Sequence, residues 1–213
     1  MIPVVDFDPN PELPREATFW MPSEQDRALG YFHDMWEIGD VSREDAMSAV
    51  DTERSAITAL DLLAPDAETF EVMARVLEAY GTELPPEDDP ADLEMFDLLA
   101  AHTSIGMGEL EGLEIGVAGL SLALSAIGCV PAASCRSHTG EHSWSYAPVV
   151  IFATSRSRAE WLQPLAARCD CGFEVDAARP KLLAVVARSV TDMNRLAATM
   201  LAPEVAGQLP LFA

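Results

Sequence analysis

The chain has 213 residues, 49% of them apolar, and a formal charge of −22 at neutral pH. That apolar share is ample for a core that needs no covalent staple, while the charge argues against DNA or RNA as a direct partner, because phosphates call for a basic footprint. The opening Met-Ile-Pro-Val-Val-Asp-Phe-Asp has no basic segment ahead of an apolar run, so it does not read as a secretory signal.

Taken in order, residues 1 to 22 hold Pro3, Pro9, Pro11, Pro14 and Pro22. Each proline fixes φ and removes a donor, so this stretch is expected as an extended arm. Ser23 and Asp26 read as the start of a short helix carrying Leu29, Phe32 and Trp36 to Gly39. Ser42 with Asp45 opens the next helix, which turns Ala46, Ala49, Val50, Ile57, Leu60 and Leu63 inward before Pro65 stops it. Asp66 caps a third, with Phe70, Met73, Leu77 and Tyr80 at helical spacing and Gly81 suited to the left-handed C-terminal position. Thr82 to Pro90 has three prolines and four acids and almost nothing to bury, which makes it the natural linker. An acidic helical region over residues 1–90 and an α+β domain over residues 91–213 follow from that division.

Beyond the linker, Ala91 to Ala101 reads as a helix and Glu109 to Ile127 as a longer one, apolar nearly all round and therefore internal. Gly108, Gly112 and Gly116 fall on one face of it, where another backbone can approach. The apolar run from Ile115 to Val130 is short for a bilayer and interrupted by glycine and serine, so no membrane role is expected. Cys129 to Ser134 and Ala147 to Ala153 predict a hairpin, with Pro131 placing the first strand at an edge or bulge. Ser157 and Glu160 open a helix through Trp161, Leu162, Leu165 and Ala166, and Pro164 inside it implies a kink or a late start. Gly172 to Asp176 and Lys181 to Ala187 read as a second strand pair, and Thr191 as the cap of a last helix with Met193, Leu196, Ala197 and Met200. The fold class is therefore α+β: an acidic helical N-terminal region, then a small mixed or antiparallel sheet of about four strands with helices packed on one face.

The loop inside the first hairpin gathers the reactive side chains. Arg136, His138, Glu141 and His142 follow Cys135 within seven residues. If the helix after Ala153 is a crossover, the strand near Gly172 begins at the same end of the sheet, and Cys135, His138 and His142 would face Cys169 and Cys171. Thiolate and imidazole are zinc ligands, so these five residues form a candidate zinc set, although Cys-x2-His, His-x3-His and Cys-x-Cys match no standard finger. Alternatively Cys135 is a nucleophile activated by His138 or His142 and assisted by Arg136, with Glu141 as the local carboxylate for orientation or general-base work on a zinc-bound water. The plain alternative is that Cys129, Cys169 and Cys171 are small core residues and the histidines loop surface. About 20 Å away, at the far end of the strands, Ser155, Arg156, Ser157 and Arg158 precede a helix and form a candidate anion site.

Ala133-Ser134-Cys135-Arg136-Ser137-His138 resembles small uncharacterised bacterial proteins with a Ser-Cys-x-Gly-His motif and is distantly similar to the tRNA wybutosine-synthesis methyltransferase family, which carries Ser-Ser-Cys-Ser-Gly-Arg after a helix. About ten residues match in kind; Ser137 stands for the motif glycine and His138 for the methyltransferase arginine, so only Ser134 and Cys135 carry over. The resemblance to that family implies S-adenosylmethionine and a tRNA substrate, which the charge of −22 opposes.

Charge supplies the leading functional expectation. Residues 1 to 100 carry 25 Asp and Glu against 5 Lys and Arg, and residues 101 to 213 carry 10 against 8. So lopsided a distribution fits a cytosolic binding or regulatory protein whose acidic half meets a basic protein partner, or simply a solvated surface. A cytosolic setting also keeps the four cysteines as thiols or metal ligands. The alternative is a thiol- or zinc-dependent enzyme using Cys135 and the loop histidines. Trp20, Trp36, Phe19, Tyr31 and Phe32 form a further candidate partner surface, or core.

Overall fold

The computed structural model describes residues 1–23, 41–80, 90–103, 110, 112–138 and 143–207. The helix expected between Ser23 and Gly39 lies outside these residues, as do the linker through Asp89, Gly81, Gly108, Glu141 and His142. Among the described residues the elements are α1 (Arg43–Leu63), α2 (Ala67–Tyr80), α3 (Pro90–Ala100), α4 (Ala118–Ala126), β1 (Val130–Cys135), β2 (Val149–Ala153), α5 (Arg156–Arg168), β3 (Cys171–Val175), β4 (Leu183–Ala187), α6 (Val190–Leu201) and α7 (Pro203–Ala206). The class is α+β, and the sheet is wholly antiparallel in the order β1-β2-β4-β3.

Local signals set most boundaries. Ser42 accepts from the Asp45 N–H at 3.1 Å and opens α1. Asp66 accepts from the Thr69 N–H at 2.8 Å ahead of α2. Such caps are worth about 1 kcal/mol each. The cap of α5 is Ser155 rather than Ser157, and that of α6 is Ser189 rather than Thr191. Proline has no N–H to donate to a ladder and so is confined to edges and bulges, and Pro131 duly sits on the edge strand β1, beside a register shift between Pro131 and Ala133.

The largest departure from expectation is α4, which starts at Ala118 instead of Glu109. Gly112 has φ 71° and Gly116 φ 103°, so the backbone turns where a regular helix was expected, and the glycines do not form a helical stripe. Gly116 also has no room for a side chain, since a Cβ there would collide with Val190. From Ala118 to Ser125 every residue of α4 is buried, because the helix is enclosed by α1, α6 and β1. Its start has no side-chain cap of its own. Glu53 of α1, fully buried, does that work: its carboxylate accepts from Gly116 N–H at 2.8 Å, from the Asn194 amide at 2.8 Å, and from the N–H groups of Ala118 and Gly119.

Strand alternation divides the sheet into two apolar faces. Val150, Phe152, Cys171, Phe173, Leu183, Val185 and Ala187 face the helices and share one cluster with Leu60, Phe70, Leu120, Leu162 and Leu196, residues from both sides of residue 90. Ala132, Cys135, Val149, Ile151, Ala184 and Val186 form the other face with Phe7 and Trp20 of the arm. The arm is extended, as its prolines require, and belts the molecule. Its amino group reaches the Ala64 carbonyl, Val5 N–H bonds the Arg188 carbonyl at 2.8 Å, and Phe173 N–H bonds the Asn10 carbonyl at 2.8 Å. This covers the open edge of β3, which would otherwise offer unpaired backbone groups to other chains.

Gly172 allows that approach: a Cβ there would lie 2.6 Å from the backbone nitrogen of Asn10. Gly172→Ala should therefore lift the arm from the strand. The expected result is faster cleavage within residues 1–20 under limited proteolysis and a lower Tm; an unchanged cleavage pattern would show that the edge is not held this way.

Candidate metal centre

The loop that follows β1 meets the helical region at a cluster of charged side chains. On α2, Phe70, Met73, Ala74 and Leu77 form the buried stripe, and Glu71 and Glu78, two turns apart, flank it. Arg136, one residue beyond the end of β1, faces them with its side chain 1% exposed. Its Nε and Nη2 donate to the two oxygens of Glu71, each at 3.0 Å, and Nη1 donates to Glu78. Glu78 also accepts from Ile115 N–H at 2.6 Å. Paired in this bidentate way, Arg136 satisfies carboxylates that could not otherwise stay ionised in a buried setting.

Titration behaviour follows. Burial works against ionisation of Glu71, but the hydrogen bonds and charge of Arg136, with His138, outweigh it and hold the carboxyl below its usual range. For Glu78 burial dominates despite Arg136, so its pKa is raised. Burial also opposes the Arg136 charge, and the two glutamates more than offset that, holding the guanidinium protonated.

His138 lies between two carboxylates, with Nδ1 2.7 Å from Glu71 Oε1 and Nε2 3.0 Å from Glu114 Oε1. The second oxygen of Glu114 accepts from the Arg136 N–H at 2.8 Å. Glu114 sits in the turn before α4, and its carboxylate therefore ties that turn to the loop after β1. Cys135, whose backbone ends the strand, closes the group: ligand atoms of Glu114, Cys135 and His138 all lie within 4.8 Å of one another, so these three can hold a metal ion. Ser137 between them has φ 70°, a left-handed conformation, and stands where the resembling motif has glycine. Serine hydrogen bonds knit the rest of the turn: Ser143 Oγ accepts from the His138 N–H at 3.2 Å and donates to the Ser145 carbonyl at 2.6 Å.

Of the five residues grouped for zinc from the sequence, Cys135 and His138 come together and His142 is outside the described residues. Cys169 and Cys171 do not join them. The strand that begins at Cys171 does start at the same end as β2, since Val149 and Gly172 both pair with Val186. The sheet order, however, inserts β2 and β4 between β1 and β3, so Cys135 and Cys171 are three strand spacings apart, about 14 Å. They also point to opposite faces, Cys171 into the helix-side cluster and Cys135 into the other. Cys169 Sγ contacts Thr199 Oγ1 at 3.5 Å, and Cys171 Sγ faces the Cys169 and Asp192 carbonyls. Both behave as core thiols, as does Cys129, whose pKa burial pushes up to about 11.

Cys135 itself is fully buried. Burial raises its thiol pKa; the Ser137 N–H works against this and the Glu114 charge adds to it. The Arg136 guanidinium is engaged by Glu71 and Glu78, so it is not the positive neighbour that would lower the pKa of an attacking thiol. At the other end of the sheet, Ser155 caps α5, Arg156 lies over the Phe19 ring at 4.3 Å and reaches Glu160, and Arg158 is buried with Nη1 3.9 Å from Met21 Sδ. Ser157 Oγ is 3.1 Å from Ser155 Oγ.

Glu71, Glu78 and Glu114 are not among the candidate residues of the sequence, where the acids of residues 1 to 100 are expected as a partner-binding or solvated surface. A signal was available in α2, where two acids border an apolar stripe at a seven-residue spacing. No protein family, curated protein or solved structure matches the chain. No helix among the described residues is long and apolar enough to cross a membrane.

Proposed function

We propose that the protein binds one divalent transition metal, zinc by its donor set, through Glu114, Cys135 and His138. The observation that carries this is the position of Glu71. A metal-ligating histidine generally gives its second ring N–H to a carboxylate, which fixes its tautomer and orientation. His138 has that arrangement, with Nδ1 on Glu71 and Nε2 turned to Glu114, and Glu71 is itself fixed by Arg136. Tetrahedral zinc with bonds of 2.0–2.3 Å needs ligand atoms about 3.3–3.8 Å apart, so closure of the widest separation by up to about 1.5 Å completes the set. Three protein ligands leave a fourth position for water. Metal binding would displace the Cys135 proton and compensate the carboxylate charge gathered here.

Metal analysis of the purified protein tests this. One equivalent of zinc is expected, lost in Cys135→Ser and His138→Ala and reduced in Glu71→Gln, while Cys171→Ser keeps it. Retention of zinc in both ligand variants, or no uptake by the wild type, would overturn the assignment.

A second reading is supported by the acidic exposed surface. Asp6, Asp8, Glu12 and Glu16 of the arm and Glu44, Asp45, Asp51 and Asp61 of α1 are all exposed. They favour a basic protein partner held by salt-sensitive contacts, in a binding or regulatory role. Pull-down and size-exclusion analysis across a range of salt should recover a partner at low ionic strength and lose it at high; recovery of none would remove this reading.

A further inference from the structure

We propose that the cavity between α1, α5, α6 and α7 binds a small organic anion, with a carboxylate or phosphate head and a short apolar body. Its volume is about 480 Å³, within the range of small-molecule sites. The chain has only 13 Lys and Arg, yet three arginines, Arg54, Arg168 and Arg195, line this one cavity. The net charge of −22 repels anions from the molecule as a whole, so a concentration of guanidinium groups here is the feature to be explained.

Two of the three are held in place by carboxylates that each occupy part of the fork. Arg195 uses Nη2 alone for the Cys169 carbonyl at 2.8 Å, Asp170 at 2.8 Å and Asp192 at 2.7 Å. Arg54 uses Nη1 for Asp51 at 2.8 Å and Nε for Asn194 Oδ1 at 3.3 Å. Nη1 and Nε of Arg195 and Nη2 of Arg54 therefore remain without a partner among the described residues. Arg168, in the last turn of α5, has none there at all, so its guanidinium is the one most open to a ligand. An oriented guanidinium with an open edge matches the planar, two-oxygen face of a carboxylate or phosphate.

The remaining lining fits the rest of such a ligand. Ala198, Ala202 and Val205 supply an apolar floor, and Thr191 supplies a hydroxyl. Glu204 also lines the cavity, so a purely inorganic anion gains less than one whose apolar body lies along the alanines and keeps its charge at the arginines. Nothing in this cavity overlaps the Glu114, Cys135 and His138 group, so the two sites stand or fall separately.

Thermal unfolding of the full chain in inorganic phosphate and in glutarate, each against sodium chloride at matched ionic strength, tests the site. At ten times Kd either ligand should raise Tm by about 3–6 °C beyond chloride. Arg168 is exposed, so Arg168→Met should fold normally and lose that increment. A glutarate effect alone assigns a carboxylate head and a phosphate effect alone a phosphate head. Equal shifts in chloride, no shift with either ligand, or an undiminished shift in Arg168→Met would each overturn the proposal.

Discussion

Arg136→Met is expected to cost about 3–5 kcal/mol of folding stability, the usual result of removing one partner from a buried ion pair. Methionine keeps much of the side-chain length but leaves Glu71, 8% exposed, and Glu78, 20% exposed, without the guanidinium that compensates their burial. The loss comes from stranded carboxylates more than from the missing attraction. Adding Glu71→Gln and Glu78→Gln to Arg136→Met should therefore restore a substantial part of it. Urea denaturation measures both quantities. A cost below about 1 kcal/mol, the size of an exposed pair, would mean that water reaches the cluster.

Glu53→Ala should be comparably severe, about 3–5 kcal/mol, because it orphans the Asn194 amide and the N–H groups of Gly116, Ala118 and Gly119 in the core. It would also unseat α4, whose N-terminus has no other side-chain cap. Titration of Glu53 adds a pH signature. Burial raises its pKa above the ordinary carboxylate value, against the hydrogen bonds it accepts. Between the unfolded and folded pKa values the folded state binds more protons, so the contribution of Glu53 is greatest below the unfolded value and falls as pH rises through the folded one. Relative to Glu53→Gln, which has no such proton, the wild type should gain stability as pH is lowered through that window. A difference independent of pH would contradict the raised pKa.

These two sites also mark how far the sequence could be read. Strand and helix positions were legible because they rest on local causes: a short continuous apolar run in Val149 to Ala153, serine and aspartate caps at Ser42 and Asp66, and prolines in the arm. The start of α4 was not, because Gly112 and Gly116 look like helix-packing glycines until their positive φ is seen, and the carboxylate that caps the helix comes from Glu53, more than sixty residues earlier. At the candidate metal centre, Cys135 and His138 stood out as a local motif. Their partners did not, since Glu71 and Glu114 reach them only through the packing of α2 and the turn before α4. The expected role of Cys169 and Cys171 failed for a reason that spacing cannot reveal: β4 inserts beside β2, which carries β3 to the opposite edge. Strand parity then sends the sulfurs of Cys135 and Cys171 to different faces.

Absorption spectroscopy of the chelator-treated protein titrated with cobalt(II) tests the central claim most directly, because a thiolate ligand announces itself by a sulfur-to-cobalt charge-transfer band. One equivalent of cobalt should bring up that band together with the d–d pattern of a tetrahedral site, and Cys135→Ser should abolish the band while Cys169→Ser and Cys171→Ser leave it intact. A wild-type spectrum without the band, or one unchanged by Cys135→Ser, would contradict a metal held by Glu114, Cys135 and His138.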